Sequence, residues 1–240
     1  MKKLTQLIIA LNLAYSVNAV AALTPEQDKQ LDEINTLLNN NPEIIEGLHT
    51  NLQDYINQTA LFEKTKLDSK EWLSDTKSHA VIGNPNGKTV VTVFTDYNCP
   101  YCKRLENELT KLIAENEDLK VIQVFVPLKQ QRVDGLDTNS AVYSTKVWQE
   151  APEKFLDVHN LLVKKNGLHS KASLEAVAKR TGTEKQLEGD SDVDAIMKKN
   201  YDTFGALGFR GTPTLMIGET TIPGYLPYDQ LKAAIAKEYK

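Results

Sequence analysis

The chain has 240 residues, 28 of them basic and 32 acidic, for a formal charge of −4 at pH 7. So mild an acidic excess argues against nucleic acid and anionic membrane surfaces as partners, and two cysteines are too few for a small disulfide-stapled scaffold. The length suits one ordinary core plus an appendage.

The first residues, MKKLTQLIIALNLAYSVNAVAAL, set Lys2 and Lys3 before a short apolar run and end in small residues at Ala19 to Ala21. This reads as a secretory signal over 1–21, cleaved on export. The run Leu7 to Ala14 is interrupted by Asn12 and too short to span a bilayer. No later stretch approaches membrane length, so no membrane insertion is expected. Loss of the two lysines leaves 26 basic against 32 acidic residues, a charge of −6. The short two-lysine leader fits a bacterial periplasmic protein.

Residues 22–78 read as a helical region. Leu31, Ile34, Leu37 and Leu38, then Ile44, Ile45, Leu48, Leu52 and Ile56, recur at spacings of three and four, which makes amphipathic stripes. NNNPE at 39 to 43 divides them, with Asn41 as a cap and Pro42 at the first helical position. The second helix is expected to end near Ala60. Its apolar stripe must pack either on the chain's own core or on other subunits as an oligomerisation stalk, for a dimer or trimer.

From 79 to the end the texture changes. A turn at Asn84 to Gly87 precedes KTVVTVF, a β-branched strand that ends just before the cysteines. A helix with Leu105, Leu109, Leu112 and Ile113 on one face follows. Then VIQVFVPL, 121 to 128, reads as a strand covered on both sides. Strand, helix, strand is a βαβ unit with a right-handed parallel crossover. Residues 136–207 are almost wholly helical, and Tyr143, Trp148 and Phe155 within them read as core. TPTLMIG and TTIPGY form two short strands joined near Gly218, and a terminal helix closes the chain. The fold class is therefore α/β, with a helical insertion and an N-terminal helical extension.

Both cysteines fall in NCPYC. Pro100 suits the first helical position, so Cys99 becomes the N-cap. The helix dipole and free amides there favour a thiolate, which lowers the pKa of Cys99 and makes it the nucleophile. Cys102 lies on the same side of the first turn, can close a disulfide, and suits the resolving role. A passive disulfide is the plain alternative, but so short a loop constrains the unfolded chain little. A zinc site needs about four ligands, and His49, His79, His159 and His169 show no paired spacing with the two cysteines. Transient copper(I) binding stays open.

VTVFTDYNCPYC, the amphipathic helix after it, and GFRGTPTLMIG much later together resemble the thioredoxin-fold, DsbA-like thiol:disulfide oxidoreductases of the bacterial periplasm. The likeness covers about 80 to 240, and the helical region before it resembles ScsC-like members. The resemblance implies a thioredoxin fold interrupted by the 136–207 insertion, with no cofactor or resident metal. It also implies a cis bond between Thr212 and Pro213 beside the sulfurs, whose exposed backbone pairs with an extended substrate. One departure stands out: several thioredoxin-fold enzymes carry a buried acid a few residues before the nucleophile, on the preceding strand, and the strand position six before Cys99 is here Val93. Asp96 is nearer the cysteines and serves either the site or the local amides.

Pro100 and Tyr101, between the cysteines, tune the redox balance without a histidine, and Lys103 and Arg104 either add positive charge or are solvated surface. A threonine before the cis-proline is, by resemblance, an isomerase trait. The expected function is disulfide isomerisation or reduction on unfolded or misfolded disulfide-containing proteins, by a homo-oligomer kept reduced through a membrane redox partner. A DsbA-type dithiol oxidase is the runner-up. A periplasmic chaperone or copper(I) carrier using the thiols as ligands is the alternative outside enzymology.

Overall fold

The structure, a computed structural model, describes residues 22–239; the expected signal sequence lies outside them. Two compact units divide between Asn57 and Gln58.

The first unit holds α1 (Pro25–Asn40) and the opening of α2 (Ile45–Leu73), with a single 3-10 turn at Pro42–Ile44 between them. Thr24 caps α1 in a capping box with Gln27, which satisfies two of the amides that every helix start leaves free. The expected role of Asn41 is corrected. Its side chain makes no N-cap bond; instead Nδ2 donates to the Leu37 carbonyl at 2.8 Å and closes the end of α1. Pro42 opens the 3-10 turn rather than the α-helix, because that turn absorbs the change of direction before Ile45. No residue of α1 is buried. The apolar stripe stays open, with Leu37 at 59 %, Leu52 at 54 % and Ile56 at 56 % exposure.

The second helix does not end near Ala60. It continues to Leu73, since nothing between 61 and 73 breaks a helix and the apolar positions shift to a new face at Phe62, Trp72 and Leu73. In the second unit that face meets the core: Leu73 is buried among Phe94, Ile122 and Phe204, the Phe62 and Phe209 rings are 6.3 Å apart, and Trp72 Nε1 donates to Asn200 Oδ1 at 3.1 Å.

The second unit is built on a five-stranded sheet in the order β1-β3-β2-β4-β5. The strands are β1 (Ala80–Gly83), β2 (Thr89–Thr95), β3 (Leu119–Phe125), β4 (Thr214–Ile217) and β5 (Thr220–Pro223). β2 and β3 run parallel around α3 (Pro100–Glu115), as the βαβ pattern requires, and all other pairs are antiparallel. β1, four residues too short for an alternation pattern, is a strand that the sequence does not separate from the turn that follows it. That turn needs Gly87, because a Cβ there would come within 2.3 Å of the Asp118 carbonyl oxygen.

Continuous apolar runs in β2 and β3 demand cover on both faces. One face packs on α3 and the terminal α8 (Tyr228–Glu238) through Val91, Val93, Leu105, Leu109, Leu215, Leu231 and Ile235. The other is covered by the end of α2 and by α7 (Ser191–Ala206), through Leu73, Phe204 and Leu207. The helical insertion is α4 (Ser140–Glu150), α5 (Pro152–Lys164), α6 (Lys171–Thr181) and α7. Its core contains Tyr143 and Phe155, buried as expected, with Trp148 packed at the edge and its Nε1 donating to the Thr76 carbonyl at 2.8 Å.

Candidate active site around Cys99 and Cys102

β2 delivers the chain to the site at Thr95, and a tight loop, Asp96 to Asn98, turns it into α3. The Asp96 carboxylate ties that loop. One oxygen accepts from the Asn98 amide at 2.8 Å and the other from the Lys129 amide at 2.9 Å, while the Asp96 carbonyl accepts from the Cys99 amide at 2.9 Å. Burial pushes the Asp96 carboxyl above its ordinary range, and the two amides offset this in part. Of the two roles the sequence allows Asp96, the structure displays the second: both oxygens are spent on local amides.

Cys99 is the N-cap residue of α3 with Pro100 at N1, and both cysteines are free thiols. The cap differs from the expected one, because Cys99 Sγ makes no side-chain cap hydrogen bond. It lies 3.1 Å from the carbonyl oxygen of Thr212, to which it donates only while protonated. The Cys99 pKa is nonetheless lowered to about 5, first by a hydrogen bond from the Cys102 thiol, against the opposing effect of burial, then by the Cys102 amide, the Thr212 side chain and the Tyr101 amide. Helix amides contribute, but the strongest donor is the second cysteine. Cys102 moves the opposite way: burial and its service to Cys99 hold its thiol protonated. The two sulfurs are thus an ionised acceptor and a protonated donor, both nearly sealed, with Cys99 at 4 % and Cys102 at 2 % exposure.

Thr212 and Pro213 come from the loop before β4. Their peptide bond is cis, Pro213 is buried and Thr212 half-buried, so the structure brings this distant segment against the nucleophile. Tyr101 is 55 % exposed on the rim, with the Arg104 guanidinium 5.3 Å over its ring. Lys103 donates to the carbonyls of Lys165 and Gly167. Its pKa is lowered by burial and then by repulsion from Lys165.

Sequence reasoning missed a buried polar chain beside the site. Gln123 Nε2 donates to Glu106 Oε1 at 3.0 Å, and Glu106 Oε2 lies 3.3 Å from His159 Nε2. His159 Nδ1 is 2.8 Å from the Tyr97 hydroxyl, which is 2.7 Å from Ser144 Oγ. Gln123 is the register partner of Val93 on the parallel strand. The buried acid missing at Val93 therefore arrives next door, from α3. The available signal was an acid within the apolar face Leu105, Leu109, Leu112. A second missed group, Asn98, accepts from the His169 amide at 3.0 Å and so ties the active-site loop to the insertion.

A thioredoxin fold with a CxxC pair at a helix start and a cis-proline against its first sulfur defines a class, and known proteins of similar sequence and structure agree with it. A thioredoxin family model matches residues 75–237. Disulfide bond formation protein D of Bacillus subtilis (strain 168) is 25 % identical over 180 residues, which is 68 % of this chain and 78 % of that protein. Two solved structures are more alike. A linker-deletion mutant of Proteus mirabilis ScsC is 31 % identical, with a TM-score of 0.69 over 92 % of this chain and 98 % of its own. The catalytic domain of Proteus mirabilis ScsC is 32 % identical, with a TM-score of 0.66 over 73 % and 97 %. The chain belongs to the thioredoxin family, in its DsbA-like branch with ScsC as a near relative. It is a thiol:disulfide oxidoreductase.

Proposed function

We propose that the protein is an oligomeric disulfide isomerase or reductase of the periplasm, acting on unfolded or misfolded disulfide-containing proteins and kept reduced by a membrane redox partner. Cys99 is the nucleophile and Cys102 the resolving thiol. The Cys99 thiolate attacks a substrate disulfide and forms a mixed disulfide, and the departing half leaves as a thiolate. Cys102 then attacks Cys99, releases the second half as a thiol, and leaves the Cys99–Cys102 disulfide. If a substrate thiol attacks first, the pairing in the substrate is rearranged and the enzyme is returned reduced. Thr212 and Pro213 hold the extended substrate backbone against Cys99; Asp96, Pro100 and Tyr101 shape and tune the helix start.

The observation that carries the isomerase reading is the open apolar stripe of residues 22–57, which is not covered within its own unit and fits a second copy of the same stripe. Joining several catalytic units gives the holding surface that rearrangement needs. The relatives support the location: one similar structure is of a periplasmic thioredoxin-like protein from Salmonella enterica serovar Typhimurium, 30 % identical over 69 % of this chain, with a TM-score of 0.63. No helix among the described residues is long and apolar enough to cross a membrane.

Refolding of scrambled ribonuclease tests the reading. The wild type restores activity, Cys99→Ala does not, and retention of full activity by that variant sinks thiol exchange at Cys99. One observation favours oxidation instead. A thiolate held as far down as that of Cys99 stabilises the reduced enzyme and so makes its disulfide oxidising. The thiol state in cells decides between the two: reduced at steady state for the isomerase or reductase, oxidised for the oxidase.

A further inference from the structure

A groove of about 470 Å³ opens beside the nucleophile. Asn98 and Pro100, the neighbours of Cys99 in the chain, form one wall, and Lys103, Arg104 and Lys164 line it together with Asn166. No carboxylate lines it, and among the described residues none of the three cations pairs with one. Asp96 lies close enough to act on Lys103, but its oxygens are taken by the Asn98 and Lys129 amides. In a chain of charge −4, a cluster of cations with no carboxylate partner beside the reacting sulfur is offset only by Asp96 and by the cysteine sulfurs. Lys165 adds a further repulsion on Lys103. An anion placed there relieves that repulsion and gains charge-assisted hydrogen bonds. Tyr101 and Leu168, at 55 % and 53 % exposure, give the surroundings apolar surface.

We propose that this groove is a carboxylate subsite of the exchange reaction, so that the enzyme prefers disulfides whose cysteine has an acid beside it. The proposal rests on the thiol-exchange reading of Cys99 and names its substrate class. The residues that contact Cys99 from the cis-proline loop, Thr212 above all, are not among those lining the groove. Backbone and flanking side chain are therefore read by different parts of the protein. Two sources can supply the carboxylate: an acidic side chain of a polypeptide, or a small anionic disulfide such as oxidised glutathione. The chemistry is the same in both. The Cys99 thiolate attacks the disulfide, a mixed disulfide forms as one half departs as a thiolate, and Cys102 resolves it.

The test is stopped-flow exchange of the full reduced protein with peptide disulfides that differ only in having Glu, Gln or Lys beside the cysteine. A parallel arm uses oxidised glutathione and its ethyl ester. The expected rate order is Glu, Gln, Lys, with Glu over Gln about fivefold to tenfold at low ionic strength and about twofold at ~0.5 M salt, where screening shortens to a few ångströms. In Arg104→Gln/Lys164→Gln the Glu-to-Gln ratio falls to about one, and in Arg104→Glu/Lys164→Glu the order reverses in favour of Lys. A preference confined to the peptides assigns the subsite to polypeptide side chains, and one confined to glutathione assigns it to small thiols. Both sustain the carboxylate subsite. Equal rates for Glu and Gln in the wild type, or a ratio that survives in both variants, overturn it. Failure to exchange with any disulfide, the neutral peptide included, instead overturns the thiol-exchange reading on which it stands.

Discussion

The Cys102 thiol, more than the helix start, is what ionises Cys99, and changing one atom tests this. Cys102→Ala removes the donor, while Cys102→Ser keeps one of similar reach. With a Cys99 pKa of about 5, the thiol is about 99 % ionised at pH 7, against about 1 % for a thiol at the ordinary value of 9.0. A hydrogen bond to a charged group contributes about 1.5–3 kcal/mol, and one pKa unit is about 1.4 kcal/mol. Cys102→Ala should therefore raise the Cys99 midpoint by about one to two units, and Cys102→Ser by less than about half of that. Thiolate absorbance at 240 nm against pH reads the midpoint directly, and the alkylation rate with iodoacetamide reads it independently. If the Ala and Ser variants titrate together, near the wild-type value, the dipole and amides of α3 ionise Cys99 alone and Cys102 is not the leading donor.

Other consequences are as direct. Because the folded pKa of Cys99 lies below its unfolded value of 9.0, the unfolded chain binds more protons between about pH 5 and 9. The reduced protein should thus gain stability as pH rises through that window and lose it as pH falls toward 5; urea midpoints of the reduced form that do not move relative to the oxidised form would refute this. Glu106→Ala strands Gln123 Nε2 and His159 Nε2 inside the fold, each at about 1–3 kcal/mol, so chemical denaturation should show a loss of about 2–6 kcal/mol, with Glu106→Gln losing less; an unchanged midpoint means that the chain of polar groups contributes nothing. Leu48→Glu/Leu52→Glu puts two charges on the open stripe and should reduce the subunit count by light scattering without altering the fold of residues 58–239; an unchanged mass sinks the stalk. Deleting 22–57 tests the same point. The deletion should stop there, because residues 58–73 belong to the same compact unit as the sheet.

Much of the fold could be read from local pattern. The β-branched run before the cysteines, the one-sided helix after them and the next apolar run place β2, α3 and β3 without any knowledge of contacts, because periodicity and turn chemistry are local. The reading failed where the deciding force was not local. α2 passes Ala60 because Phe62, Trp72 and Leu73 find cover on the sheet, and no periodicity within 45–60 contains that information. β1 is short and owes its existence to pairing with β3. At the site, Cys99, Cys102 and Pro100 were legible because their spacing along one helix start determines their geometry. The pairing of Cys99 with Thr212 came through family resemblance rather than spacing, since 113 residues separate them. Glu106, Gln123, His159 and Tyr97 lie on four different elements, and only the folded chain shows that they touch.

That scattering also bears on how the site handles protons. Cys102 must lose its proton to resolve a mixed disulfide, yet burial holds it protonated, and Val93, on the strand before the site, offers no acid. Cys99 itself supplies the local solution. While its sulfur is a thiolate, the Cys102 hydrogen bond stabilises it; once that sulfur is bonded to substrate, the acceptor is gone and the Cys102 proton loses the partner that held it. Formation of the mixed disulfide thus removes one of the forces keeping Cys102 protonated at the moment Cys102 is required to attack. The same coupling separates the roles of the two sulfurs without a dedicated base, and it predicts that alkylation of Cys99 by a neutral reagent lowers the Cys102 midpoint. A Cys102 that titrates unchanged after Cys99 is capped would require the proton to leave by another route, with Glu106, one turn along the same helix, the nearest buried acid on that face of α3.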